Sequence, residues 1–124
     1  MVGHAIVHFE IPGDNMGNLM AFYSELFGWR FERAPGPEEY WMIQTVPEAD
    51  SPAPTVNGGL FKRESADQHI INYISVESLG DCSRRIEELG GRVVTPKREV
   101  FDMGWVAVAE DPDGNRFAIW QDLG

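Results

Sequence analysis

The sequence predicts an α+β fold in which two β-α-β-β-β modules form a curved mixed sheet with a central cup and with helices outside. One observation is an internal repeat, because sliding the sequence onto itself by about sixty residues superposes two copies of one apolar pattern. The other is that each copy combines one helical pattern with several strand-like segments. The pairs matched at one constant spacing are Ile11 with Ile74, Met16 with Leu79, Leu19 with Cys82, Tyr23 with Ile86, Leu26 with Leu89 and Gly28 with Gly91.

The first strand and helix follow from residues 5 to 28. Apolar and polar side chains alternate from residue 5 to Ile11, as in a strand with one buried face. The segment from Pro12 to Asn15 ends that strand and offers a helix cap. Apolar residues at helical spacing then predict a helix from Met16 until Gly28, which suits the left-handed closing conformation: Leu19, Tyr23, Leu26 and Phe27.

Seven more strands and one more helix complete the predicted modules. In module one, strands are expected at 30–33, 40–46 and 58–63, separated by Pro35-Gly36-Pro37 and by a loop from Pro47 to Pro54. In module two, a strand at 70–76 precedes a helix with Leu79, Cys82, Ile86 and Leu89 on its apolar face. Strands at 92–95, 105–109 and 116–120 follow. We therefore place module one at 4–63 and module two at 69–122, within a single domain over 1–124.

Composition narrows the class of protein. With 124 residues, 43 % of them apolar and 24 % charged, the chain matches one globular domain. A formal net charge of -10 and scattered basic residues argue against nucleic acid as a partner. No window approaches the roughly 18 apolar residues of a membrane span, and the start of the chain lacks an export signal, so we expect no membrane partner and a cytoplasmic location.

Several motifs together resemble one known family. They are His8-Phe9-Glu10-Ile11-Pro12, Ala21 to Trp29, Glu88-Leu89-Gly90-Gly91, Met103-Gly104-Trp105 and Asp111 to Phe117. In this order the chain resembles the vicinal oxygen chelate superfamily, which contains glyoxalase I, bleomycin-resistance proteins and extradiol dioxygenases. The resemblance covers nearly the whole chain and implies the fold predicted above, often as a homodimer. It does not specify an activity.

The resemblance also implies where a metal would be held. Metal-dependent members use His or Glu side chains on the first and last strands of each module. His8 occupies one such position, whereas the repeat register places Gly59, Ile71 and Ala118 at the other three. Because catalytic metal sites usually need about three protein ligands, we expect no cofactor and no usual metal site. A shifted divalent-metal site built from His8, Glu10 and His69 remains the alternative.

Strand alternation predicts the residues that line the cup. If the apolar face of each strand meets the helices, the opposite face carries His8 and Glu10 together with aromatic and polar side chains suited to a small-molecule pocket. The predicted ligand-binding residues are Phe61, Tyr73, Ser75, Arg116 and Trp120, with Trp41 and Trp105 as weaker candidates from the repeat.

Three functions remain open on these grounds. The first is a dimeric, metal-independent protein that binds an unknown small molecule in the cup. The second is a lyase, isomerase or dioxygenase type enzyme in which His8 and Glu10 act as acid and base, with or without a displaced metal. The third is a non-catalytic interaction or regulatory module. His8 also fits the role of a hydrogen-bonded sheet histidine, and Glu10 that of a solvated carboxylate.

Overall fold

The computed structural model describes residues 3–47, 55–100 and 102–123. The predicted loop from Pro47 to Pro54 therefore lies, beyond Pro47, outside the described residues. The described part confirms the α+β class and the two β-α-β-β-β modules. Its elements are β1 (Ile6–Gly13), α1 (Met16–Phe27), β2 (Arg30–Arg33), β3 (Tyr40–Gln44), β4 (Asn57–Lys62), β5 (Ile71–Ser75), α2 (Leu79–Glu88), β6 (Arg92–Val100), β7 (Gly104–Glu110) and β8 (Arg116–Asp122).

The chain divides into two compact units that repeat one topology. We call His8–Ile70 the first unit, and the described residues of Met1–Val7 and Ile71–Gly124 the second unit. Strand order is β2-β3-β4-β1 in the first unit and β6-β7-β8-β5 in the second. In each unit the first and last strands pair in parallel and the other neighbours pair antiparallel. The repeat is thus confirmed, while the module boundaries and the central cup stay predictions.

Helix α1 covers one face of the strands in the first unit. The Asn15 side chain accepts a hydrogen bond from the Asn18 amide at 3.0 Å and caps the start of the helix. At the other end Gly28 has φ 75°, the left-handed conformation that glycine adopts at little cost. The buried core of this unit consists of Ile11, Met16, Ile43 and Leu60, with Phe9, Leu19, Met20, Tyr23, Trp29, Phe31 and Trp41 packed around them.

Helix α2 has the same role in the second unit. Ser78 caps it by accepting from the Asp81 amide at 3.1 Å, and Asp81 in the first turn suits the positive end of the helix dipole. Behind the helix lies a core of Val76, Leu79, Ala107 and Ile119, with Cys82, Ile86, Val93, Trp105 and Phe117 packed around it. The prediction that Cys82 lies on the apolar face of this helix is confirmed.

The predicted end of one strand was wrong, and part of the apolar helical pattern is exposed. Leu26, Phe27 and Leu89, each at or near the end of its helix, are 57 %, 58 % and 62 % exposed. Strand β6 continues from Arg92 to Val100, past the expected end at Thr95, and register shifts on both sides of Thr95 accommodate Pro96. In the described residues neither helix has the length and apolar character needed to cross a membrane.

Candidate functional site

Strand β1 presents His8 and Glu10 on the face of the first unit that is turned away from helix α1. Phe9 and Ile11, which alternate with them, pack into the core against the helix. His8 and Glu10 are both half-buried rather than exposed. The predicted face of β1 is therefore correct in this unit.

Tyr40, the first residue of β3, joins His8 and Glu10. Its hydroxyl donates a hydrogen bond to Glu10 Oε2 at 2.8 Å and lies 2.9 Å from His8 Nε2. Because the single hydroxyl proton is used toward Glu10, the hydroxyl oxygen must accept from His8, which assigns the proton of the neutral imidazole to Nε2. We call His8, Tyr40 and Glu10 the Tyr40 network.

Gly59 on β4 allows the Tyr40 side chain of β3 to reach His8 and Glu10 on β1. In β4 it stands beside Glu10 of β1 on one side and Met42 of β3 on the other, so all three share one sheet face. A Cβ atom at position 59 would lie 2.7 Å from Tyr40 Cε1 and closer still to Cζ and Oη. Only a residue without a side chain leaves room for the Tyr40 ring at this point.

Burial favours the neutral form of His8. Desolvation lowers the pKa of His8 below its usual range, and the nearby negative charge of Glu10 opposes that shift. The neutral imidazole is the form favoured by burial, and it can still donate from Nε2. Tyr40 donating to Glu10 is the arrangement expected for an ionised carboxylate. The network thus couples a neutral histidine, a phenol and a carboxylate, a set that could accept or donate protons.

The residues of the first unit do not fit the metal site that the family resemblance implies. His8 Nε2 is bonded to Tyr40, and the Tyr40 hydroxyl fills the space into which a ligand side chain at position 59 would project. Ile71 and Ala118 in the second unit have no lone pairs to offer. His69 is exposed, and no group of three or more His, Cys, Asp or Glu side chains within residues 3–47, 55–100 and 102–123 is placed to hold a metal ion.

Apolar side chains flank the Tyr40 network on the same face. Phe61 stands opposite Tyr40 in the β3–β4 pairing and is half-buried, and Met42 is 41 % exposed. Trp41 alternates with them and packs into the core beside α1. Of the predicted ligand-binding residues in this unit, Phe61 therefore lies on the face of the network, whereas Trp41 lies on the helix side.

The second unit carries an aromatic pair on its own helix-free face. The rings of Tyr73 and Trp120 are 6.4 Å apart at 43°, over a small cluster formed with Val106 and Ala118. Trp120 also covers Gly104, where a Cβ atom would lie 2.6 Å from its Cε2. Its indole N–H donates to Asp122 Oδ1 at 2.7 Å. Tyr73 and Trp120, two predicted ligand-binding residues, are thus brought together.

The remaining predicted residues of the second unit have separate surroundings. Ser75 is half-buried on β5, and its carbonyl oxygen lies 3.0 Å from His4 Nδ1. Arg116 is exposed at the start of β8 and donates to Glu110 at 3.2 Å, a contact that is the largest cause of the lowered pKa of Glu110. Trp105 packs on the helix side, with Lys97 Nζ 4.4 Å above its ring.

Tyr40 is the residue of the candidate site that the sequence did not predict. Alternation along β1 identified His8 and Glu10, but the partner that joins them comes from a strand thirty residues later in the chain. The available signal was Gly58-Gly59, a pair of glycines inside a strand, which indicates a close approach of another group. The glycine pair does not show which group approaches, because many side chains on β1 or β3 could lie over these glycines.

The structure is similar to several solved structures over nearly its whole length. A hypothetical protein from Bacillus halodurans matches with a TM-score of 0.73 and 11 % identity, covering 99 % of this chain and 97 % of the other. Methylmalonyl-CoA epimerase from Mycobacterium tuberculosis matches with a TM-score of 0.69 and 12 % identity, covering 100 % and 94 %. A glyoxalase/bleomycin resistance protein/dioxygenase superfamily member from Vibrio splendidus gives 0.68 and 14 %, covering 97 % and 100 %. At these identities the similarity shows the fold.

Among curated proteins, the chain is similar to the anthracycline biosynthesis protein DnrV from Streptomyces peucetius. The two are 26 % identical over 129 aligned positions, which cover 91 % of this chain but 45 % of DnrV. The chain thus spans about half the length of this relative.

A match to a family profile shows the protein family, which these similarities alone do not show. The profile is described as Glyoxalase/Bleomycin resistance protein/Dioxygenase superfamily, and it matches residues 5–119. That range includes both helices and all strands except the end of β8. The chain belongs to the glyoxalase/bleomycin resistance protein/dioxygenase superfamily.

Proposed function

We propose that this protein binds an aromatic small molecule at the helix-free face of the first unit, without the divalent metal typical of its family. The observation that carries the proposal is the Tyr40 network, with its hydroxyl 2.9 Å from His8 Nε2 and 2.8 Å from Glu10 Oε2. A phenol held between these groups takes the space that a metal-ligating side chain at Gly59 would need.

Two features support a small aromatic ligand. The network provides a few fixed polar groups, and Phe61 and Met42 provide apolar surface beside them, which is the usual composition of a small-molecule site. The similarity to a protein named for anthracycline biosynthesis points to a fused aromatic compound. Anthracyclines contain an anthraquinone-like ring system, so a simple anthraquinone is a suitable first probe.

Nuclear magnetic resonance titration with 2-(hydroxymethyl)anthraquinone tests this proposal. We expect shifts of backbone amides concentrated in β1, β3 and β4, because these strands carry the network. Tyr40→Ala should weaken binding, while Phe22→Ala should not, since Phe22 is 57 % exposed on α1 and lies outside the site. A spectrum with the dispersion of the wild-type protein verifies that Tyr40→Ala is folded. Shifts confined to α1, or no shifts, would contradict the proposal.

The second candidate is an enzyme of the lyase, isomerase or dioxygenase type. The chain of hydrogen bonds from His8 through Tyr40 to Glu10 favours it, because such a chain can pass a proton between two side chains that contact one ligand. Replacing both His8 and Glu10 with alanine should abolish any turnover found in a screen of carbonyl and aromatic substrates. Turnover that persists in the double variant would exclude this role for the pair.

A further inference from the structure

The Glu10 carboxylate has one oxygen that is held and one that remains available. Oε2 accepts the hydrogen bond from Tyr40 at 2.8 Å. Oε1 accepts none from the residues that the structure describes. Because a half-buried carboxylate oxygen favours a hydrogen-bond donor, this atom is a ready acceptor for a ligand group.

No positively charged lysine or arginine side chain of the Tyr40 network balances the negative charge of the Glu10 carboxylate. The network contains one carboxylate and neither a lysine nor an arginine. Tyr40 is a neutral phenol that donates to the carboxylate. The chain as a whole adds a formal net charge of -10. A negatively charged ligand would therefore meet repulsion at the site, while a neutral or positive donor would not.

We infer that the site selects ligands that present a neutral or cationic hydrogen-bond donor, a hydroxyl or an amine on an aromatic framework, and rejects anionic ones. This inference rests on the proposed function and defines the class of ligand at the same site. Glu10 is the residue that determines this specificity. Tyr40 and His8 act as positioning residues, because they fix the carboxylate and leave Oε1 as its accessible acceptor.

Three anthraquinones with one ring system and different substituents test the inference. They are 2-(aminomethyl)anthraquinone, which is a cation at pH 7, neutral 2-(hydroxymethyl)anthraquinone, and anionic anthraquinone-2-carboxylate. Dissociation constants are measured by calorimetry at low salt, where screening of charge is weakest. We expect the amine and the alcohol to bind at least about tenfold more tightly than the carboxylate, the scale of one hydrogen bond to a charged group.

The variant Glu10→Gln removes the charge and keeps the shape of the side chain. In it the difference between the alcohol and the carboxylate should shrink to within about threefold, since a hydrogen bond to a neutral acceptor is weaker. Glu25→Gln is the matched control, because Glu25 is an exposed carboxylate on α1, on the helix side of the same unit, and its loss changes the net charge equally. The control should keep the wild-type preference.

The outcomes separate the inference from the proposed function. If all three compounds bind equally, or if the carboxylate binds best, the ligand class is wrong while aromatic binding stands. If Glu25→Gln reduces the preference as much as Glu10→Gln, total charge and not Glu10 determines it, and the inference is overturned. If none of the compounds binds, the proposed function fails and the inference fails with it.

Discussion

Replacing Gly59 with alanine should break the Tyr40 network without changing any of its three members. The backbone at Gly59 permits alanine, since the described glycines with positive φ are Gly28, Gly36, Gly90 and Gly114. The obstacle is the Tyr40 ring, which overlaps the position of the new methyl group. Tyr40 must therefore move, and both of its hydrogen bonds are lost.

The expected loss of stability follows from those two bonds. The bond from His8 to Tyr40 is between neutral groups and contributes about 1 kcal/mol, and the bond from Tyr40 to the Glu10 carboxylate contributes about 2 kcal/mol. Gly59→Ala should therefore lower the free energy of unfolding by about 3 kcal/mol. Urea denaturation followed by circular dichroism measures this directly.

Two further variants make the measurement specific. Gly80→Ala is the matched control, because nothing lies within 4 Å of its Cβ position in α2 and alanine there should add about 0.5–1 kcal/mol of stability. In a Tyr40→Ala background, Gly59→Ala should cost almost nothing, since the ring is already absent. If Gly59→Ala is as stable as the wild-type protein, or if its cost in stability is the same with and without Tyr40, the Tyr40 ring is not the obstacle to a side chain at position 59.

Two other predictions concern His8 and Arg63. Since burial lowers the pKa of His8, the folded protein binds fewer protons at His8 than the unfolded chain does. The contribution of neutral His8 to the free energy of unfolding is therefore complete above pH ~6.5 and is lost as the pH falls through the lowered folded pKa. In Glu10→Gln the pKa of His8 should fall further, as measured by imidazole nuclear magnetic resonance; a rise would contradict the assigned charge interaction. Arg63→Ala should cost about 1–2 kcal/mol in urea denaturation, because the half-buried guanidinium donates to the Gln68 and Pro12 carbonyl oxygens and lies 3.3 Å from Asp14 Oδ1. An unchanged unfolding midpoint would show that these contacts add nothing.

The sequence predicted the modules well because their signals are local or periodic. The cap at Asn15, the left-handed Gly28 and the apolar spacing between them are all contained in one short segment, and the helix has those limits. The repeat then transferred the pattern to the second module. The prediction failed at the end of β6, which continues to Val100 through its pairing with β7. Helical spacing also does not show which apolar residues are buried, since Leu26, Phe27 and Leu89 fit the pattern and are exposed near helix ends.

The site was predicted in part for the same reason. Alternation is a property of one strand, so it predicted the sheet face on which His8 and Glu10 lie and the face that Tyr73 and Trp120 share. The roles of these residues in binding or catalysis stay predictions. The Tyr40 network depends on the Tyr40 side chain reaching across β4 to β1. The pattern of apolar and polar residues along one strand cannot predict such a contact. Trp41, matched to Trp105 by the repeat, faces a helix core as its counterpart does.

The proposed function depends on Tyr40, and not a metal ion, joining His8 to Glu10. Calorimetric titration of untagged protein that has never met a chelator, with Zn²⁺, Ni²⁺, Mn²⁺ and Fe²⁺ in turn, tests it most directly. We expect no tight, stoichiometric binding of any of the four ions, because His8 Nε2 is hydrogen-bonded to the Tyr40 hydroxyl. Tight binding of one ion per chain that disappears in His8→Ala would contradict it and make a metal enzyme the working hypothesis.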